Sequence, residues 1–391
     1  MNLNALFLLI AGHFAIDILM GALPAFLPFV KESLKLSYFM TASIILVYNV
    51  TASVIQPIFG YWSDRSRARW FLPLGCFIAP MGLGLLGFAP SYIWILFLVA
   101  ISGVGQASFH PEAFKTVNFL SGQKKATAFS FFHLGGGAGF ALGPILATLF
   151  YSQLGLKGST LFMIPGFILV AIFLTTSFWK VEEPLAARRV LPHGGSRAFG
   201  GNFGSMVFLL LAVVFRSAGR LGLVTFLPFY FIQILKQDPL IAGQYLSAFL
   251  FAGNVGIAAG GALADRFGYR QTVLISFALT PIFLFLFFFT HGTLSFCFLI
   301  AAGVTIISSN AVTMAIGQSL MPQNLGMAAG LVLGMSLGVG GIATTSFGWV
   351  ADHWGLPFTL QVIFCLPALA FLTFLNVPDP VSFSRKKSPA T

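Results

Sequence analysis

Of the ten acidic side chains in this sequence, only Asp17 and Glu112 fall within long apolar runs; the other eight lie in loops or near the ends of such runs. Where such a run crosses a bilayer, a charge at its centre costs at least about 2.5 to 3.5 kcal/mol, so a carboxylate kept there is a functional candidate. Asp17 lies roughly twelve residues into its run, about 18 Å along a helix rising 1.5 Å per residue, which puts it near a membrane midplane. His13 precedes it by four residues, on the same helix face. The pair fits a proton site, in which a carboxylate holds its proton in dry surroundings and releases it on meeting water or a cation. A buried His-Asp hydrogen bond that merely fixes the helix is the alternative. Two ligands without a clustered third or fourth specify no metal, so none is expected.

Glu112 lies about 20 residues into its own run, near the end of a helix rather than its centre. Lys115, three residues on, can neutralise it, so proton relay and helix-end salt bridge stand even. His110 faces nearer the middle, with Pro111 able to kink the helix between them. His133 reads as a packing residue. Arg216 and Arg220 share one helix face roughly 15 to 20 Å into a later run. Buried arginines need carboxylates or an anionic ligand, and guanidinium forks suit phosphonate and carboxylate geometry. A standing salt bridge to Asp17 and a site for substrate are both open. Asn49, Gln56, Gln106, Asn254, Asn310 and Gln318 are secondary candidates for lining a path, Asn49, Gln106 and Asn310 foremost.

The elements that must carry these groups follow from composition. The chain has 391 residues, 57% apolar and only 8% charged, whereas soluble proteins carry about 25% charged residues. A soluble fold is excluded. The 46 Phe and 42 Gly suit helices that face lipid on one side and pack closely on the other. Runs of about 20 apolar residues, enough for a ~30 Å hydrocarbon core, lie near 5–30, 38–62, 71–89, 92–118, 127–152, 160–179, 206–235, 240–264, 271–290, 294–319, 326–351 and 357–376. Twelve transmembrane helices are predicted, in an all-α membrane protein. The first run lacks a basic flank and has Pro24 and Pro28 where a cleavage site would need small residues, so it reads as a retained span. Cys76, Cys297 and Cys365 are scattered through apolar runs and read as free thiols.

The net charge of +11 marks topology rather than nucleic-acid binding. With both termini in the cytoplasm, fourteen of the 21 Lys and Arg fall in cytoplasmic segments, among them Arg65, Arg67 and Arg69, Arg188, Arg189 and Arg197, and Arg385, Lys386 and Lys387. Lys31, Lys35, Lys157 and Lys236 fall outside. That asymmetry orients the chain, and the basic tail can touch anionic lipid.

The sequence also repeats itself. Phe26-Leu27-Pro28-Phe29 recurs as Phe226-Leu227-Pro228-Phe229, and Gly60 to Arg65 recurs as Gly261 to Arg266 with the same glycine-to-aspartate spacing. Two pseudo-symmetric six-helix bundles follow, at 1–180 and 205–377, joined by a polar linker at 181–204 and followed by a basic cytoplasmic tail at 378–391. Such halves bind substrate between them near the midplane.

The stretch Gly261-Ala262-Leu263-Ala264-Asp265-Arg266-Phe267-Gly268-Tyr269-Arg270 resembles the loop signature of the major facilitator superfamily, and Gly60 to Arg69, with Asp64 and Arg65, is a looser copy. In this motif Gly261 is expected to allow close helix approach, and Asp265 with its arginines to pair or cap a neighbouring helix end. Gly12-His13-Phe14 with Asp17, and Phe109-His110-Pro111-Glu112, resemble the fosmidomycin resistance protein family. Gly139 and Gly143-Pro144 resemble the superfamily's antiporter motif. Ser130 and Ala147 depart from it, and Val99 stands where drug antiporters carry arginine.

The resemblance implies the major facilitator fold in a bacterial inner membrane, and efflux of drug-like, amphiphilic or anionic compounds in exchange for protons. Asp17, His13, His110 and Glu112 would then serve coupling, and Arg216 and Arg220 substrate. Partners would be a small molecule, protons and lipid, with no nucleic acid, no cofactor and a monomeric chain. No phosphate-binding loop of the Walker type is present, and no nucleophile, base and orienting group come together, so an enzyme is not expected. Transport of a native metabolite, lipid or metal chelate is the second reading, and a membrane receptor or scaffold the third.

Overall fold

The computed structural model describes residues 3–65, 68–121, 125–176, 203–321 and 325–379. The expected linker and tail, and the basic residues placed there, lie almost wholly outside these segments, as do the side chains of Asp64 and Arg65.

Among the described residues the chain forms thirteen α-helices: α1 Leu3–Ser33, α2 Tyr38–Val54, α3 Gln56–Arg65, α4 Phe71–Gly84, α5 Tyr92–Leu120, α6 Lys125–Leu154, α7 Met163–Thr175, α8 Phe203–Phe229, α9 Pro239–Phe267, α10 Tyr269–Phe289, α11 Gly292–Leu320, α12 Leu325–Trp354 and α13 Leu356–Phe374. Helices are the form such a sequence must take, because hydrocarbon offers no partner for an open N–H or C=O. The second apolar run divides into α2 and α3 at Ile55, where Pro57 cannot donate back to the preceding turn; the N–H groups of Ile58 and Phe59 reach Ile55 O instead. Ten stretches are long and apolar enough to cross a membrane. One of them, Ala128–Thr175, holds both α6 and α7 around a 3-10 turn at Gly155–Phe162, and α12 adds a further apolar helix of 30 residues. These account for twelve crossings.

The helices sort into two compact units, Met1–His193 with Leu227–Ser247, and Gly194–Phe226 with Ala248–Thr391. In the first unit α1 lies most extensively against α6, and α5 packs on α2 and α4. The α1 and α6 contact is set by glycines one turn apart. A Cβ at Gly135 would meet Ile10, one at Gly139 the Phe14 carbonyl, and one at Gly143 the backbone of Ile18 and Ala22. Small residues at this spacing let two backbones approach in a membrane, where van der Waals packing drives association. The segment 227–247 joins this unit through Tyr38 Oη, which donates to Gln233 Oε1 at 2.6 Å, and Ile145 N, which donates to Ser247 Oγ at 3.0 Å.

In the second unit α10 packs on α11 and α13, and α12 on α11 and α13. Val213, Phe277, Ile316 and Phe374 lie at its apolar centre. Close approach between α9 and α11 rests on Gly256 and Gly260, whose Cβ atoms would drive into the carbonyls of Val304 and Ser308. The expectation placed on Gly261 is therefore corrected. A Cβ there would meet nothing within 4 Å, because one residue turns the position about 100° around the helix, away from α11.

One echo of the internal repeat is local. Lys35 after α1 and Lys236 after α8 both adopt φ of 51°, so both loops leave their helix through the same left-handed turn.

Candidate functional site

The first unit gathers His13, Asp17 and His110 into one cluster. His13 and Asp17 sit one turn apart on α1, and His13 Nε2 lies 3.1 Å from Asp17 Oδ2. From α5, His110 Nε2 lies 3.3 Å from Asp17 Oδ1. Each imidazole is oriented by its other nitrogen: His13 Nδ1 donates to the Phe132 carbonyl of α6 at 2.8 Å, and His110 Nδ1 to the Gln106 carbonyl one turn earlier at 3.0 Å. Carbonyl oxygens only accept, so each Nδ1 carries a hydrogen and each Nε2 is turned to the carboxylate.

The walls are mostly aromatic, with the His133 ring 6.3 Å from that of His13. His13 stacks on Phe132 with ring centroids 4.1 Å apart, and Phe109 and Phe114 stand edge-on to the histidines. His13 is 4% exposed, whereas the side chains of Asp17 and His110 keep 17% and 13%. In so dry a setting a carboxylate is held by hydrogen bonds and charge rather than by bulk water. Gly136 of α6 closes the site from behind; a Cβ there would touch both His13 Nε2 and Asp17 Oδ2. Three potential ligand atoms from His13, Asp17 and His110 lie within 4.8 Å of one another, a third ligand that spacing along α1 alone does not supply.

Glu112 stands outside that group. It is fully buried and accepts from Ser63 Oγ at 2.5 Å and Thr116 Oγ1 at 3.3 Å, with Lys115 Nζ at 3.6 Å. Lys115 Nζ also donates to the Ser63 carbonyl at 2.5 Å. Four side chains thus clasp α3 to α5 beside the Gly60 to Arg65 motif.

In the second unit, Arg216 of α8 is 4% exposed. Its Nη2 donates to Ser217 Oγ at 3.1 Å and to Ser336 Oγ of α12 at 3.4 Å, and the two hydroxyls bond to each other. Its Nε and Nη1 have no hydrogen-bond partner among the described residues. Arg220 lies one turn further along the same helix. Asn310 Oδ1 in this unit, and Asn49 Nδ2 and Gln106 Oε1 in the first, are likewise buried and without a hydrogen-bond partner among the described residues, as expected of groups that wait for water or ligand. In the motif that spans the end of α9 and the start of α10, Tyr269 Oη donates to Asp265 Oδ1 at 3.3 Å, Arg266 lies over the Phe267 ring, and Arg270 donates to the carbonyls of Leu375 and Val377 just after α13. Sequence reasoning missed Gly136 and the buried Tyr48 hydroxyl, which has no partner among the described residues. A glycine in a run of three and an uncharged tyrosine carry no signal until the facing helix is known.

Apolar helices long enough to cross a membrane, with charged groups buried in each of the two units, meet the requirements of a membrane transporter. The family model of the Major Facilitator Superfamily matches residues 9–345, and the chain belongs to that superfamily. It is 30% identical to an uncharacterized MFS-type transporter, YfnC, of Bacillus subtilis (strain 168), over 94% of this chain and 91% of the relative. It is 27% identical to the fosmidomycin resistance protein of Escherichia coli (strain K12), again over 94% and 91%. Among solved structures, a bacterial homolog of the human lysosomal transporter Spinster superposes with a TM-score of 0.82 at 15% identity, covering 98% of each chain; this likeness is one of fold. The chain is accordingly a transporter of small molecules and not an enzyme.

Proposed function

We propose that this transporter is a proton-coupled antiporter that exports small amphiphilic or anionic compounds across a bacterial inner membrane, with both termini in the cytoplasm. The observation that carries the reading is Asp17 held between His13 and His110 in an aromatic, nearly dry pocket. Alternating access needs a group whose charge differs between states. A carboxylate that meets two imidazoles can pass protons among three sites within one cluster. On the substrate side, Arg216 has two guanidinium nitrogens, Nε and Nη1, with no hydrogen-bond partner among the described residues, the provision expected for an oxyanion. Arg220 and Asn310 in the second unit, and Asn49 and Gln106 in the first, are the further residues proposed to meet substrate, each within its own unit. Resistance to fosmidomycin, named for one relative, supports export as the direction.

The test is transport by the purified chain in proteoliposomes under an imposed pH gradient, against a panel of phosphonates, drugs and metabolites. Substrate movement driven by opposing proton flow is expected, and indifference to the gradient would remove the coupling. Orientation has its own test: reporters fused after Lys125 and Arg197 read as cytoplasmic, and one at Lys157 as external, in the proposed topology; the reverse pattern overturns it.

A further inference from the structure

The lone pairs of the His13, Asp17 and His110 cluster are unbalanced in a way that calls for positive charge among them. Because each Nδ1 is committed to a carbonyl, the Nε2 of each neutral ring is an acceptor, and it faces a carboxylate that is also only an acceptor. At 3.1 and 3.3 Å these acceptors would repel unless something positive lies between them. Protons on both rings would serve. So would one metal ion, and the geometry fits one.

Zinc bonds to imidazole nitrogen and carboxylate oxygen are about 2.0 to 2.1 Å long, so neighbouring ligand atoms of a tetrahedral site stand about 3.3 Å apart. His13 Nε2 stands 3.1 Å from Asp17 Oδ2 and His110 Nε2 stands 3.3 Å from Asp17 Oδ1, each an edge of that size to its own carboxylate oxygen, and with one oxygen counted the three ligand atoms fall within 4.8 Å of one another. The Nδ1 hydrogen bonds to Phe132 and Gln106 carbonyls match the outer-shell bonding that fixes the tautomer of metal-bound histidines. The residual exposure of Asp17 and His110 leaves a path for an ion and for a fourth ligand, as in sites that keep one position open. Gly136, which carries no side chain against His13 and Asp17, keeps the space free.

We propose that His13, Asp17 and His110 form a binding site for a divalent late first-row cation of the Zn2+ type. Two imidazoles and one carboxylate favour such an ion over Mg2+ or Ca2+, which take oxygen ligands. The inference uses the residues of the proton-coupling reading but stands on ligand geometry, and its test requires no transport.

The experiment is titration of the purified full-length chain in detergent, carrying no polyhistidine tag, with Co2+ as a spectroscopic probe and then with Zn2+ in competition. One equivalent of Co2+ is expected to give the visible absorption of a tetrahedral nitrogen and oxygen site, and Zn2+ to bleach it. Asp17→Asn and His110→Gln each remove a ligand and should weaken binding more than ~100-fold, beyond the 10–100-fold typical of outer-shell changes. His353→Gln, at an exposed residue of α12, should leave it intact. Wild-type protein with no such absorption overturns the proposal whatever the variants do, as does a spectrum that survives both Asp17→Asn and His110→Gln. Metal binding with transport indifferent to pH would sink the proton reading alone.

Discussion

His110 on α5 presents Nε2 to Asp17 on α1 at 3.3 Å, so the carboxylate near the middle of the first helix is held from two helices and not from α1 alone. Any change that rotates α5 relative to α1 alters the company Asp17 keeps. Under the proposed function, such a movement would change the proton affinity of Asp17 in the same event, the linkage antiport requires.

The approach of α6 to α1 is predicted to be a determinant of stability. Gly139→Val places a side chain against the Phe14 carbonyl, and overpacking of this kind costs about 1 to 3 kcal/mol. Gly261→Ala, where a Cβ meets open space, should not lower stability, since alanine is the better helix former. Thermal unfolding of the two variants in detergent checks the contrast; equal loss in both would contradict the packing.

The Glu112 clasp is predicted to be structural and to lie apart from coupling. Glu112→Gln leaves Lys115 without its carboxylate and puts an amide against Ser63 and Thr116, a loss of about 1 to 3 kcal/mol for a buried charged hydrogen-bond partner. The unfolding midpoint should fall while the pH dependence of export by the folded fraction stays unchanged. A shifted pH profile in an equally stable protein would instead make Glu112 part of the proton route.

Much of this was legible along the chain, and the division has a physical basis. An ionisable group in an apolar run is a one-dimensional signal, so Asp17, Glu112, Arg216 and Arg220 stand out before any helix is packed. The pairing of His110 with Asp17 depends on how α5 faces α1, and nothing in the spacing within either helix encodes that angle. The same limit moved close approach from Gly261 to Gly260, neighbours in sequence but about 100° apart around the helix axis. Gly136 was passed over because its importance lies wholly in what faces it.

On the substrate side, Arg216→Gln is expected to weaken binding of anionic compounds by about 1.5 to 3 kcal/mol, the worth of a charge-assisted hydrogen bond, and to leave neutral compounds nearly unaffected. Arg220→Gln should act in the same direction. Equilibrium binding of matched anionic and neutral ligands to the purified variants decides this, and equal losses for both classes would make the arginines structural.

The central claim is that Asp17 carries the coupling charge, and it meets its most direct test in Asp17→Asn reconstituted into proteoliposomes beside the wild type, with substrate flux followed under an imposed pH gradient. The amide keeps the shape of the carboxylate but cannot cycle its charge. Gradient-driven export should therefore vanish while substrate binding remains measurable. Persistence of proton-dependent export against a substrate gradient in Asp17→Asn would contradict the account and place the switch elsewhere in the chain.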